Sequence, residues 1–123
     1  MPLSKSAFGK ELIIDLGGCN DNISDRKQLE EYVVGLIKLL KMKAYGKCET
    51  PFFGHGNKVT SGHSLKQFIE TSSIVGHFGD FYKSANLNIF SCKDFDDNKA
   101  TEFTKDFFSG DIAQRIVLER RMK

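Results

Sequence analysis

The stretch LKQFIETSSIVGHFGDFYKSANLNIF, Leu65 to Phe90, holds three extended segments in close succession. Leu65 to Glu70 and Ser73 to Phe78 read as two successive strands, and Ala85 to Phe90 alternates, with Leu87 and Ile89 inward against Asn86, Asn88 and Phe90. Period-two alternation is the mark of a strand that buries one face. Upstream, Gly54-His55-Gly56-Asn57 reads as a loop, because glycine and asparagine accept backbone conformations that a packed element avoids. A further strand is expected before it, over Tyr45 to Phe53.

Farther back, Ser24 or Asp25 can cap a helix, with Gln28 three residues after Asp25 as in a capping box. Leu29, Val33, Leu36, Ile37 and Leu40 fall on one face of that helix, which is expected to end near Lys43. Glu11 to Leu16 is a buried strand stopped by the Gly17-Gly18 turn. Downstream, a second helix runs from Asp97 to Phe108, its apolar side carried by Ala100, Phe103 and Phe107, with Gly110 as its stop and Gln114 to Leu118 as the last strand. The order β-α-β-β-β-β-α-β predicts an α+β fold, a two-layer sandwich in which two helices cover one face of an antiparallel sheet. An uncovered second face favours a homodimer. No linker or repeat interrupts the chain, so residues 1–123 read as a single domain.

Composition excludes several classes. With 18 Lys and Arg against 16 Asp and Glu, mixed along the sequence, no nucleic-acid-binding surface is expected. The basic end, Glu119 to Lys123, reads as a solvated tail. Met1 to Ser6 lacks the apolar core of a signal peptide, and no apolar run nears the roughly 20 residues that span a bilayer, so no membrane association and a cytoplasmic location are expected. Cys19, Cys48 and Cys92 are widely spaced, without a C-x-x-C pair, which suggests neither a disulfide framework nor a metal site.

Singly, Ser64, Ser72, His77 and Cys92 carry little information; their spacing carries more. Gly62-His63-Ser64-Leu65 is followed by Thr71-Ser72-Ser73, with Ser64 eight residues before Ser72, His77 five after it, and Ser91-Cys92 placing the cysteine twenty after it. From about Lys10 to Leu118 the sequence resembles the bacterial class of pyruvoyl-dependent S-adenosylmethionine decarboxylases, whose active serine, histidine and cysteine stand at these intervals. Gly17-Gly18-Cys19 and Cys92-Lys93-Asp94 also resemble segments of that family.

The resemblance implies a self-processing proenzyme. The Ser72 hydroxyl would attack the Thr71 carbonyl, Ser64 would hydrogen-bond the oxyanion-like intermediate, and His77 would remove the α-hydrogen so that the chain parts between Thr71 and Ser72. Ser72 would become a pyruvoyl cofactor that forms a Schiff base with S-adenosylmethionine, and Cys92 would return a proton to the α-carbon after carbon dioxide leaves. The product supplies polyamine (spermidine) synthesis. Phe52, Phe53 and Phe78 are candidates for the cationic, adenine-bearing substrate, and the family's stacking phenylalanine upstream of the Ser64 segment favours Phe53. This sequence departs from the family at Thr71, where glutamate is usual, at Ser73, where the bacterial proteins have histidine, in Phe78-Gly79-Asp80-Phe81, and at Asn88. Two alternatives follow: a pyruvoyl enzyme acting on arginine or ornithine, and an uncleaved relative that no longer decarboxylates.

Overall fold

The computed structural model describes residues 7–122 apart from position 55. Met1 to Ser6, read above for a signal peptide, and His55 of the expected loop lie outside the described residues. The described residues form seven strands and two helices in the order β1 (Ala7–Gly17), a 3-10 turn (Asp21–Ser24), α1 (Arg26–Leu39), β2 (Ala44–Glu49), β3 (Phe52–Phe53), β4 (Gly62–Ile69), β5 (Ser72–Gly79), β6 (Ser84–Ser91), α2 (Asp97–Phe108) and β7 (Asp111–Arg121). The sheet is antiparallel in the order β2-β4-β5-β6-β1-β7, with β3 beside β4. This is the expected α+β arrangement.

Strand alternation decides which face the helices cover. Leu12, Ile14 and Leu16 of β1, Leu65 and Ile69 of β4, Ile74 and Phe78 of β5, and Ala85, Leu87 and Ile89 of β6 are buried against Leu29, Tyr32, Val33 and Leu36 of α1 and Ala100 and Phe108 of α2. Tyr32 is fully buried and joins the helices through its hydroxyl, 2.8 Å from Thr104 Oγ1. The alternate residues stand on the bare face, among them the exposed Phe68 and Leu118 and the half-buried Ile13, Val75 and Ile116.

Local chemistry shifts several boundaries. Asp25 caps α1, accepting from the amides of Lys27 and Gln28. The helix ends at Leu39 and not near Lys43, because Lys41 takes a left-handed conformation (φ 56°) while the Met42 amide reaches back to Ile37, an arrangement that closes a helix. In α2 the left-handed residue is Ser109, and Gly110 is small for another reason: a Cβ there would lie 3.0 Å from Leu16 Cβ. The buried residues of α2 are Ala100, Thr101, Thr104 and Phe108, with Phe103 and Phe107 half-buried beside them. The strand expected over Tyr45 to Phe53 is two strands broken at Thr50-Pro51, since proline has no N–H for a ladder. Residues 119–121 are part of β7 and not a free tail; Arg120 pairs with Glu11, 2.5 Å away.

Among the described residues no helix is long and apolar enough to cross a membrane.

Candidate active site

A two-residue turn, Glu70-Thr71, joins β4 to β5. Such turns need positive φ, which favours glycine or asparagine. Thr71 nevertheless adopts φ 58°, a costly conformation for a β-branched residue. Its hydroxyl is held on both sides, donating to the Glu70 carbonyl at 2.6 Å and lying 2.6 Å from Cys92 Sγ. The link from Thr71 to Ser72 thus sits at a strained corner beside the thiol.

Ser72 opens β5 on the helix-covered side, buried, and its Oγ donates to Ser91 Oγ at 3.0 Å. Ser91 is fully buried and also accepts from the Lys93 amide at 3.2 Å. Cys92 follows, half-buried where β6 leaves the sheet. Gly9 of β1 makes this possible, because a Cβ there would stand 2.1 Å from the Ser91 carbonyl oxygen and 2.8 Å from Cys92 Cα. Beyond Cys92 the buried Lys10 ammonium binds the Phe95 carbonyl at 2.5 Å, Asp94 at 2.8 Å and Asp97 at 2.9 Å, and Arg115 pairs with Asp97 from β7. The start of β1 therefore grips the chain on either side of the thiol.

Two openings meet at Thr71 and Ser72. One, of about 400 Å³, is rimmed by Lys41, Lys43 and Lys93 and reaches Cys92. The other, of about 680 Å³, is an apolar groove on the bare face, walled by Tyr45, Phe68 and Phe90. The peptide link is open to both faces of the sheet.

Ser64 and His77 are elsewhere. They face each other across β4 and β5, with Ser64 Oγ 2.9 Å from His77 Nδ1, exposed on the bare face. The ladder places that pair five rungs from the one joining Ile69 to Ser72, about 17 Å at roughly 3.4 Å per residue. Asn86 and Asp15, bonded at 2.8 Å, continue the polar row across β6 and β1. Phe53 belongs with this pair, since β3 pairs with β4 at Gly62 and His63, next to Ser64, and its ring is 48% exposed. Phe52 stands beside it, edge-on to His63. Phe78 is excluded as a substrate contact: it points inward, packed on Phe108.

The candidate residues therefore fall in two separate groups, Thr71, Ser72 and Cys92 at one end of β5 and Ser64, His77 and Phe53 at the other. Sequence reading missed Ser91, Gly9 and Lys10 as supports of the first group, because each acts through cross-strand pairing that no local spacing reveals. The other cysteines are unsuited to chemistry. Burial, aided by Asp111, pushes the Cys19 thiol up to about 11, and burial with Glu30 and Glu49 raises Cys48. Among the described residues no group of three or more His, Cys, Asp or Glu side chains is arranged to hold a metal ion.

The fold is shared with the crystal structure of the adenosylmethionine decarboxylase from Aquifex aeolicus VF5, at a TM-score of 0.79 and 17% identity over 96% of this chain and 94% of that one. No curated protein matches the sequence. The family model described as S-adenosylmethionine decarboxylase matches residues 10–121, nearly the whole chain, and the chain belongs to that family.

Proposed function

We propose that this chain is a self-processing S-adenosylmethionine decarboxylase whose active site is completed by two copies of the protein. Membership of the family supports the reaction and a pyruvoyl cofactor; the residues and their division between two copies are argued from the geometry. The observation that supports it is the separation of the two groups, each a half-site. Ser72 and the Ser64–His77 pair lie at opposite ends of one strand pair, too far apart to act on the same atoms. A two-fold axis lying between two bare faces, over the middle of β5 and perpendicular to it, exchanges those ends. The Thr71–Ser72 link, which lines the groove on the bare face while the Ser72 hydroxyl faces the helices, then meets Ser64 and His77 of the second copy, and Phe53 comes with them.

The residues at the first half-site fit a pyruvoyl group: a serine hydroxyl at a strained turn, a cleft reaching it, and a thiol beside it. The Ser72 hydroxyl attacks the Thr71 carbonyl carbon and the amide becomes an ester, with Ser64 of the second copy hydrogen-bonding the oxygen on which charge develops; its His77 removes the α-hydrogen of Ser72, the Thr71 carboxylate leaves Cβ, and the dehydroalanine left at position 72 takes up water and releases ammonia to become the pyruvoyl group. Once formed, the pyruvoyl group supplies an electron sink for the loss of carbon dioxide. Cys92 then returns a proton to the α-carbon of the product. Phe53 offers a ring face to the sulfonium and adenine. One domain contains all of this, and three free thiols fit a reducing, cytoplasmic setting.

Co-expression of two differently tagged inactive chains tests the reading. Ser72→Ala lacks the nucleophile and His77→Ala the base, so each alone stays whole. In the mixed dimer the His77→Ala chain should be cut into fragments 1–71 and 72–123, seen by intact mass, and carbon dioxide should be released from S-adenosylmethionine and not from arginine or ornithine. If wild type is cut but the mixture is not, the site lies within one chain; if wild type stays whole, self-processing is wrong.

A further inference from the structure

We infer that Ser91 is a positioning residue for the cleavage step, which sets the Ser72 hydroxyl for attack on the Thr71 carbonyl; this rests on the proposed cleavage at Ser72. A serine side chain has three staggered positions, and only some bring Oγ toward the preceding carbonyl carbon. The hydrogen bond to Ser91, 3.0 Å long, selects one of them. Ser91 can do so because its own hydroxyl is fixed by the Lys93 amide and its backbone is clasped by Gly9. With Ser72 donating, its proton lies toward β6 and its lone pairs are left for the carbon. Ser91 is fully buried, so water does not readily take its place if the hydroxyl is removed.

The step is an isomerisation. A bond forms between Ser72 Oγ and the Thr71 carbonyl carbon, the bond from that carbon to the Ser72 nitrogen breaks, and the hydroxyl proton ends on the freed amine. Nothing is oxidised or reduced and no co-reactant is needed. Oγ, Cβ, Cα, N and the carbonyl carbon close a five-membered ring on the way, so a small rotation at Ser72 moves the attacking oxygen off its line.

The test isolates that step. In a His77→Ala background, where elimination is blocked, the ester accumulates and hydroxylamine cuts it, whereas the amide is untouched. Adding Ser91→Ala should lower hydroxylamine cleavage about tenfold, the loss of one aligned hydrogen bond in the transition state. Ser91→Thr, which keeps the hydroxyl, should restore it, while melting temperatures of the variants separate this from general loosening. In the wild-type background Ser91→Ala should slow cleavage by a similar factor, with Ser91→Thr again restoring it. Equal hydroxylamine cleavage with serine or alanine at 91, or a Ser91→Thr variant as slow as Ser91→Ala, would overturn the assignment. A wild-type chain that is never cut would overturn the cleavage reading and this inference with it.

Discussion

At the scale of single residues, the site depends on places where side chains are held in, or kept out of, unusual positions. Thr71 is in the left-handed region, which glycine enters freely and threonine does not, and two contacts of its hydroxyl offset that cost. Gly9 is the reverse case, with a backbone so near Ser91 and Cys92 that any side chain collides. Gly9→Ala should therefore force β1 and the Cys92 turn apart, lowering stability by about 1–3 kcal/mol as overpacking does. Thermal unfolding of the variant measures that cost. A melting curve equal to the parent's would mean that the turn gives way without strain.

At the scale of elements, α2 is tied to the sheet by an ion network. Burial lowers the Lys10 pKa, but bonds and charges from Asp94 and Asp97 outweigh it and the net direction is up. The Lys10 hydrogen bond holds Asp94 low; at Asp97 burial acts upward and is outweighed by Lys10 and Arg115. Carboxylates with depressed pKa stabilise the fold above their usual value near 3.8, and that stability is lost as pH falls through the lower folded value. Lys10 has the opposite sign: its contribution is full below its usual 10.5 and is lost as pH rises through the higher folded value. Lys10→Met should cost roughly 2–3 kcal/mol at neutral pH, less than a fully buried pair because Asp94 is nearly half exposed. It should also flatten the acid limb, read from melting temperatures between about pH 2 and pH 5. An acid limb as steep as the parent's would place the carboxylate effect elsewhere.

At the scale of the whole molecule, one face of the sheet is covered by helices and the other carries both apolar residues and catalytic candidates. Val75 lies at the centre of that bare face, between the rungs of Ser72 and His77, and pairs with Lys66 and Asn88. Val75→Glu should leave the helix-covered core intact, since its side chain points away from it. In the proposed dimer it would bury an unpaired charge, so sedimentation should shift from twice the chain mass to the single chain. Cleavage should stop too, with Thr71, Ser72 and Ser91 untouched. A dimer that persists and still processes would mean that the bare faces do not meet.

Much of this was legible in the sequence. Alternation in Leu87 and Ile89, the heptad-like spacing of α1 and the Asp25 cap are local signals, because side-chain direction follows from backbone period alone, and they were enough for the α+β sandwich. The intervals among Ser64, Ser72, His77 and Cys92 pointed to the family. Boundaries set by left-handed lysine, serine and threonine were not legible, since those residues adopt positive φ only where surrounding contacts enforce it. Spacing could name the four candidates but could not say which of them meet. Register decided that: it set Ser64 against His77 and Ser72 against Ser91, five rungs apart. Cross-strand neighbours are fixed by how distant segments pair, a property of the folded sheet and not of any short stretch of chain.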